Sequence, residues 1–470
     1  MPDLSAIVKA YDIRGVVGDQ LDERTARALG AATARLVAAD DPGPSAVVVG
    51  RDMRDSSPVL AAAFADGVTG QGLDVVDIGL ASTDMLYFAS GSLGLPGAMF
   101  TASHNPARYN GIKLCRGGAV PIGQDSGLAT IRDDAARMLD DGVPEGARRG
   151  SLRERDMLSG YAEHLRSLVD LSGVAGLTVV VDAGNGMGGH TVPSVLTGLG
   201  LRVVPLYFEL DGTFPNHEAN PLDPANLVDL QKAVVTGGAD LGLAFDGDAD
   251  RCFAVDERGE AVSPSAITGL VAARELARAH DRGETDPCVI HNLITSRAVP
   301  ELVTEHGGRP VRTRVGHSFI KQTMAETGAV FGGEHSAHYY FRDFWKADSG
   351  MLAALHVLAA LSEHSRSGAA GGTPTLSGLM AGYERYAASG EINSTVADQS
   401  AKVAEVERRY GAVEGAELDR LDGLTVSLPD GSWFNLRVSN TEPLLRLNVE
   451  AADDAAVAAL CDGVLAVVRA

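Results

Sequence analysis

A strand, a polar loop, a helix closing on glycine and a second strand recur three times along this chain. That repeat restricts the fold more than any other feature. The copies begin at Ser45 (SAVVVGRDMRDSSPVLAAAFADGVTGQGLDVVDIG), Leu177 (LTVVVDAGNGMGGHTVPSVLTGLGLRVVPLY) and Cys288 (CVIHNLITSRAVPELVTEHGGRPVRTRVG). Strands alternating with helices make βαβ units and largely parallel sheets. After each copy comes a further apolar strand that runs into an unusual loop: GAMF into TASHNP, LGLAF into DGDADR, GAVF into GGEHSAH. Parallel α/β sheets hold ligands at the carboxyl ends of their strands. The expected fold class is therefore α/β, with three tandem related α/β domains turning their loops toward a central cleft.

The remaining chain has a different character. LTVSL, a Pro-Asp-Gly turn, SWFNLRVS, the corner NTEP and LLRLNVEA read as antiparallel strands, and a helix from Asp453 to Val468 follows. The Gly-rich stretch 367–378 reads as a hinge or linker before this C-terminal α+β domain. The expected domains are 1–148, 149–253, 254–370 and 371–470. A chain of 470 residues is indeed too long for one core. Its net charge of −22 argues against nucleic acid and anionic membrane surfaces as partners. An anionic ligand must then be met by a local cluster of Arg, Lys and backbone N–H groups. Cys115, Cys252, Cys288 and Cys461 form no C-x-x-C pair, which predicts reduced thiols, no disulfide framework and no zinc site. The start, MPDLSAIVKAYDIRG, carries charges where a secretory core is apolar. The most apolar helix, Met351 to Leu361, is too short to span a bilayer and contains His356. A cytoplasmic, soluble protein, monomeric or dimeric, is expected.

The loops carry the chemistry. Asp246, Asp248 and Asp250 follow a buried strand at two-residue steps, and like charges so close raise one another's pKa unless a cation sits between them. Either a hard divalent ion or a cation from elsewhere in the chain would serve. An EF-hand fits the spacing as far as Glu257, but Arg251 occupies the position that needs glycine and the flanks read as strands. Ser103 lies on a constrained turn before His104, Asn105 and Pro106; a serine capping the backbone is the commoner use of that pattern. Gly184, Gly186 and Gly189 satisfy the dinucleotide fingerprint, with Glu209 as a late candidate for its acid. A single match in a chain with 55 glycines reads better as a tight turn that lets a helix pack close to its sheet. Glu334, Ser336 and His338 form a polar row suited to vicinal hydroxyls. Arg437, Ser439, Asn440 and Thr441 form a compact donor set suited to a phosphate.

Taken together and in this order, the four loops and YDIRG at 11–15 make the chain similar to the α-D-phosphohexomutase family, and within it to its bacterial phosphomannomutase branch. The resemblance covers the whole chain. It implies three α/β domains and an α+β fourth around a deep cleft, and a serine, here Ser103, that carries a phosphoryl group. It implies that Ser103 with Asp246, Asp248 and Asp250 ligates Mg²⁺, and that phosphate moves between O6 and O1 of mannose through a hexose 1,6-bisphosphate, an intermediate that also acts as activator. By the same resemblance, Arg251, His104, Lys113 and Arg14 serve the transfer, and His317 and His338 are candidates for the hydroxyl proton. Tyr11, Glu334 and Ser336 are expected at the sugar; Arg437, Ser439, Asn440 and Thr441 are expected at the non-reacting phosphate. O3 and O4 exchange places when the sugar turns end to end, and mannose differs from glucose only at C2. Glucose phosphates are therefore expected substrates as well.

The sequence also departs from that pattern. Dual-specific relatives often have Met and Gly where this loop has His335 and Ala337, and many relatives have Lys where this chain has Leu293. A phosphoglucosamine mutase, a metal-dependent phosphatase attacking through Asp246, and a non-enzymatic sugar-phosphate or calcium sensor remain as rivals.

Overall fold

The computed structural model describes residues 3–40, 43–366, 374–438 and 444–470. The chain divides into two compact units: Met1–Val262 with Ser336–Leu379, and Ser263–His335 with Met380–Ala470.

The three copies of the repeat share one strand order. In each, three parallel strands lie side by side with the first in the middle. These are Gly97–Phe100, Ala46–Arg51 and Asp74–Leu80 in the first copy. The second has Leu241–Phe245, Thr178–Asp182 and Arg202–Leu206, and the third Phe331–Gly333, Cys288–Asn292 and Arg309–Thr313. The middle strands AVVVGR, TVVVD and CVIHN are almost wholly buried. Strands covered on both faces read as continuous apolar runs, which is why these were legible in the sequence.

In the first unit, each parallel set is extended by an antiparallel strand that returns from the loop. Tyr109–Arg116 pairs with Gly97–Phe100, and Cys252–Asp256 pairs with Leu241–Phe245. TASHNP and DGDADR therefore both lie in connections between antiparallel strands, at the carboxyl end of a parallel strand. Strands flanking the aspartates also dispose of the EF-hand. The first sheet, of seven strands, takes in Leu152–Glu154 beside Asp74–Leu80, past the boundary expected at 148. The second runs on through Ala261–Val262, past the boundary expected at 253.

Helices cover these sheets closely. Glu23–Ala38 and Ser57–Gly70 cross where only glycine fits, because a Cβ on Gly30 would sit 2.2 Å from the Phe64 carbonyl oxygen and one on Gly67 2.1 Å from that of Arg27. The helix Thr83–Leu93 is capped by Ser82 and carries the fully buried Asp84 in its first turn. That carboxylate accepts hydrogen bonds from Ser82, Tyr161 and Ser349, joining three distant segments. Burial pushes its pKa up to about 6. Met351 to Leu361 lies within the buried helix Gly350–Arg366, and among the described residues no helix is long and apolar enough to cross a membrane. All four cysteines are buried free thiols.

The second unit ends in a five-stranded antiparallel sheet in the order Ala387–Thr395, Leu444–Ala451, Trp433–Val438, Leu424–Ser427, Glu417–Asp419. Phe434, Leu436 and Leu447 pack there with Val406, Val457 and Val464 from the helices Gln399–Gly411 and Asp454–Val468. Tandem α/β domains followed by an α+β domain are thus what the pattern of strands and helices foretold.

Candidate active site

Ser103 leaves the strand Gly97–Phe100 on a left-handed backbone, φ +50°, and is 4 % exposed. That conformation costs a residue with a Cβ about 1 kcal/mol or more, so surrounding structure must impose it. Its N–H donates to the Thr101 hydroxyl at 2.9 Å. Its carbonyl oxygen accepts from Arg54 at 2.8 Å. Gly247 presses on that same carbonyl, since a Cβ there would lie 2.4 Å from the oxygen. The side chain then has one exit: Ser103 Oγ donates to Asp246 Oδ2 at 2.8 Å and lies 3.2 Å from His104 Nδ1.

The three aspartates are fully buried together, with carboxylate oxygens within 4.8 Å of one another. Two cations from the chain already answer them. Arg251 bonds Asp246 through Nε at 2.9 Å, and Lys113 Nζ bridges Asp248 at 2.7 Å and Asp250 at 2.6 Å. Asp248 is also tied to Thr83, whose hydroxyl donates to its carboxylate at 2.6 Å and whose N–H donates to its carbonyl at 3.0 Å. Burial works against ionising Asp248, but Lys113 and these bonds bring its pKa well below the carboxylate range. Burial raises Asp246, against the pull of Arg251 and with the push of Asp250 and Asp248. Lys113 would be lowered by burial; Asp248 and Asp250 hold it well above the usual lysine.

Two oxygens of the trio, Asp248 Oδ1 and Asp250 Oδ1, are buried without a hydrogen-bond partner. An orphaned carboxylate oxygen is costly away from water. Three carboxylates against one ammonium and one guanidinium leave a net negative charge. Unused anionic oxygens, excess negative charge and an adjacent serine hydroxyl fit a hard divalent ion with oxygen ligands. The site thus has the chain cations and still fits the ion.

The neighbouring histidines differ in role. Arg251 Nη2 lies 2.6 Å from His104 Nδ1, and a guanidinium can only donate, so His104 is neutral with its proton on Nε2. Burial, reinforced by Arg251 and Arg14, holds its pKa well below the usual imidazole. His338 Nδ1 lies 3.0 Å from Asp348 Oδ2, and these two cluster with Asp250. Burial would lower His338, but the Asp348 hydrogen bond and carboxylates raise it above the usual value. Arg14 is paired with Asp12 and donates to Asn105 Oδ1. Tyr11 is half-buried just before it. The glycine turn fits its bland reading with a use added: a Cβ on Gly186 would meet the Gly247 carbonyl oxygen at 2.7 Å, and Glu209 is exposed. Ser336, in this unit, is half-buried, and Ala337 takes φ +65°, the region a glycine at this position enters without strain.

In the second unit, Glu334 is buried and accepts from Asn292 at 3.1 Å and from the Gly316 N–H at 3.2 Å. His335 lies 3.3 Å from the Ser265 hydroxyl, and burial lowers its pKa. Leu293 is a core residue. Arg437 faces Asp422 at 3.6 Å and Glu391 at 3.7 Å. Ser439, Asn440 and Thr441 lie outside the described residues, as does the side chain of His317, which opens the helix His317–Thr327. Sequence reasoning missed Arg54, Thr83, Gly247 and Asp348. GRDMR at the end of a buried strand was the available signal for Arg54.

The chain matches four successive family profiles. These are phosphoglucomutase/phosphomannomutase alpha/beta/alpha domain I over residues 5–138, domain II over 159–259, domain III over 264–377, and the C-terminal domain over 391–467. The chain belongs to the phosphoglucomutase/phosphomannomutase family. Among curated members of that family, it is 43 % identical over 96 % of both chains to "Phosphohexose mutases" of Xanthomonas campestris. It is 41 % identical over 95 % of both to "Phosphomannomutase" of Salmonella montevideo. A solved phosphoglucomutase/phosphomannomutase family protein from Burkholderia thailandensis superposes with a TM-score of 0.84 at 34 % identity, covering 98 % of this chain and 96 % of that one. Like other phosphohexomutases, this chain is thus an enzyme of the isomerase class.

Proposed function

We propose that the chain is a Mg²⁺-dependent phosphomannomutase. It would interconvert mannose 6-phosphate and mannose 1-phosphate through phosphoserine at Ser103 and a hexose 1,6-bisphosphate, and would accept glucose phosphates as well. The observation that carries the reading is the Ser103 hydroxyl held 2.8 Å from Asp246, beside two buried carboxylate oxygens without partners. The mannose assignment rests on relatives at 38–41 % identity whose printed name is phosphomannomutase.

Ser103, Asp246, Asp248 and Asp250 would hold Mg²⁺, which when bound supplies positive charge to the oxygens of a transferring phosphoryl group. The chain's own residues do the rest. Arg251, fixed by Asp246, and Arg14, fixed by Asp12, present guanidinium groups beside the serine loop. His104 offers its Nε2–H as a neutral donor. His338 is assigned the proton of the incoming sugar hydroxyl, because Asp348 orients its ring and stabilises the imidazolium. Lys113 keeps the trio compensated between turnovers. Tyr11, Glu334 and Ser336 are assigned to the sugar, and Arg437, Ser439, Asn440 and Thr441 to the phosphate that is not reacting. Because the serine is rephosphorylated in each cycle, it needs no strong base of its own. The cytoplasm is the proposed location.

Intact mass and peptide mapping of purified protein test this. The expected result is one phosphate on Ser103, lost on incubation with excess mannose 1-phosphate and absent from an inactive Ser103→Ala variant. An active Ser103→Ala enzyme with phosphate on Asp246 overturns it in favour of a phosphatase.

A further inference from the structure

Arg54 is the largest fully buried side chain among the described residues, in the turn between the strand Ala46–Arg51 and the helix Ser57–Gly70. All five of its N–H donors are in use. Nε donates to Asp52 at 3.2 Å, Nη1 to the carbonyls of Pro106 and Tyr109 at 3.0 Å each, and Nη2 to those of Ser103 at 2.8 Å and Asn105 at 2.7 Å. Four carbonyls of one loop therefore converge on a single guanidinium. Asp52 anchors it, accepting as well from the Arg54 N–H and the Ser57 hydroxyl. The Phe214 ring lies 5.2 Å from the guanidinium carbon.

We propose that Arg54 is the positioning residue of phosphoryl transfer, the group that locks Ser103 into its left-handed backbone so that Oγ faces the aspartate trio. This rests on Ser103 being the phosphoryl carrier. The geometry singles out Arg54 because it holds the carbonyl oxygen of the left-handed serine itself, the same oxygen that Gly247 approaches, together with three further carbonyls that follow it. A planar fork can serve four acceptors spread along a loop, whereas an ammonium at one point cannot. No hydrogen bond joins Arg54 to the hydroxyl or to an aspartate of the trio, so its direct hold is on the backbone of residues 103–109.

Arg54→Lys keeps the charge and removes the fork. Its kcat with mannose 1-phosphate is expected to fall about 100-fold with KM within about threefold, the signature of a lost alignment and not of lost binding. Phosphorylation of Ser103 by hexose 1,6-bisphosphate, followed by intact mass, should slow to a similar degree. Mn²⁺ affinity of the trio should stay within threefold. Phe64→Leu, a core change in the same domain outside the serine loop, supplies a variant of lowered Tm for comparison. Activity of Arg54→Lys equal to that of Phe64→Leu at matched Tm, or a rise in KM with kcat intact, overturns the proposal. If Arg54→Lys does not fold, Asp52→Asn loosens the anchor more gently. A threefold to tenfold loss in kcat at constant KM is expected there, and none overturns the idea. Ser103→Ala separates the two readings: retained mutase activity in it removes the phosphoserine premise, whatever Arg54→Lys does.

Discussion

Gly247→Ala perturbs the contact between the serine loop and the aspartate loop. Gly247 does not sit at positive φ, so alanine meets no backbone penalty and the effect comes from one contact. The added Cβ would lie 2.4 Å from the Ser103 carbonyl oxygen and needs 3.0–3.4 Å. The loops must therefore separate by about 0.6–1.0 Å, a scale on which a misplaced group loses about 100-fold in rate. If that separation falls on the Ser103–Asp246 hydrogen bond of 2.8 Å, the bond is stretched beyond useful length. A 100-fold loss corresponds to about 2.7 kcal/mol of transition-state stabilisation. Overpacking adds about 1–3 kcal/mol of instability. The assay is steady-state turnover of mannose 1-phosphate, with Mn²⁺ titration to show that the trio still binds. Gly237→Ala, where a Cβ meets nothing within 4 Å, is the neutral control. Activity of Gly247→Ala within threefold of the parent would refute the claim that this contact sets the serine.

Lys113→Met leaves Asp248 and Asp250 buried without their ammonium, a loss of about 3 kcal/mol or more. The variant should melt well below the parent in EDTA and recover more Tm than the parent does on adding Mg²⁺. His217 lies 3.0 Å from Asp182; burial lowers its pKa, but the Asp182 hydrogen bond raises it above the usual imidazole value. A raised folded pKa gives stability that is complete below the unfolded value of about 6.5 and fades as pH rises through the folded one. His217→Gln should accordingly lower Tm more at pH 6 than at pH 9, and an equal loss at both would contradict the ion pair. Gly91→Ala places a Cβ 2.2 Å from the Trp345 ring and should cost about 1–3 kcal/mol in urea unfolding; an unchanged midpoint would show that the ring moves aside freely.

Much of this was legible in the linear sequence because the responsible forces are local. Val-rich central strands and helices ending at glycine marked all three repeats, and the loops that follow marked the site. The stretches next to the expected boundaries at 148 and 253 were the hardest to read, also for local reasons. Leu152–Glu154 is an exposed strand with no apolar face to announce it, and Cys252–Asp256 starts directly after the aspartate loop. What could not be read were the contacts made at long range. Arg54 reaches carbonyls 49 to 55 residues away, Thr83 reaches Asp248 across 165 and Lys113 reaches it across 135. Nor does any residue type announce φ +50° at a serine; only the groups that clamp it do.

The tether from Thr83 to Asp248 has a consequence for how such a chain can change. One duplicated unit lends a hydroxyl and an amide to the acidic loop of the next, so the ion-holding loop is finished only by its neighbour. Units coupled in that way cannot be shuffled singly or replaced by a copy of themselves. A change of length in either loop must keep this tether in place, which couples the two repeats as they diverge.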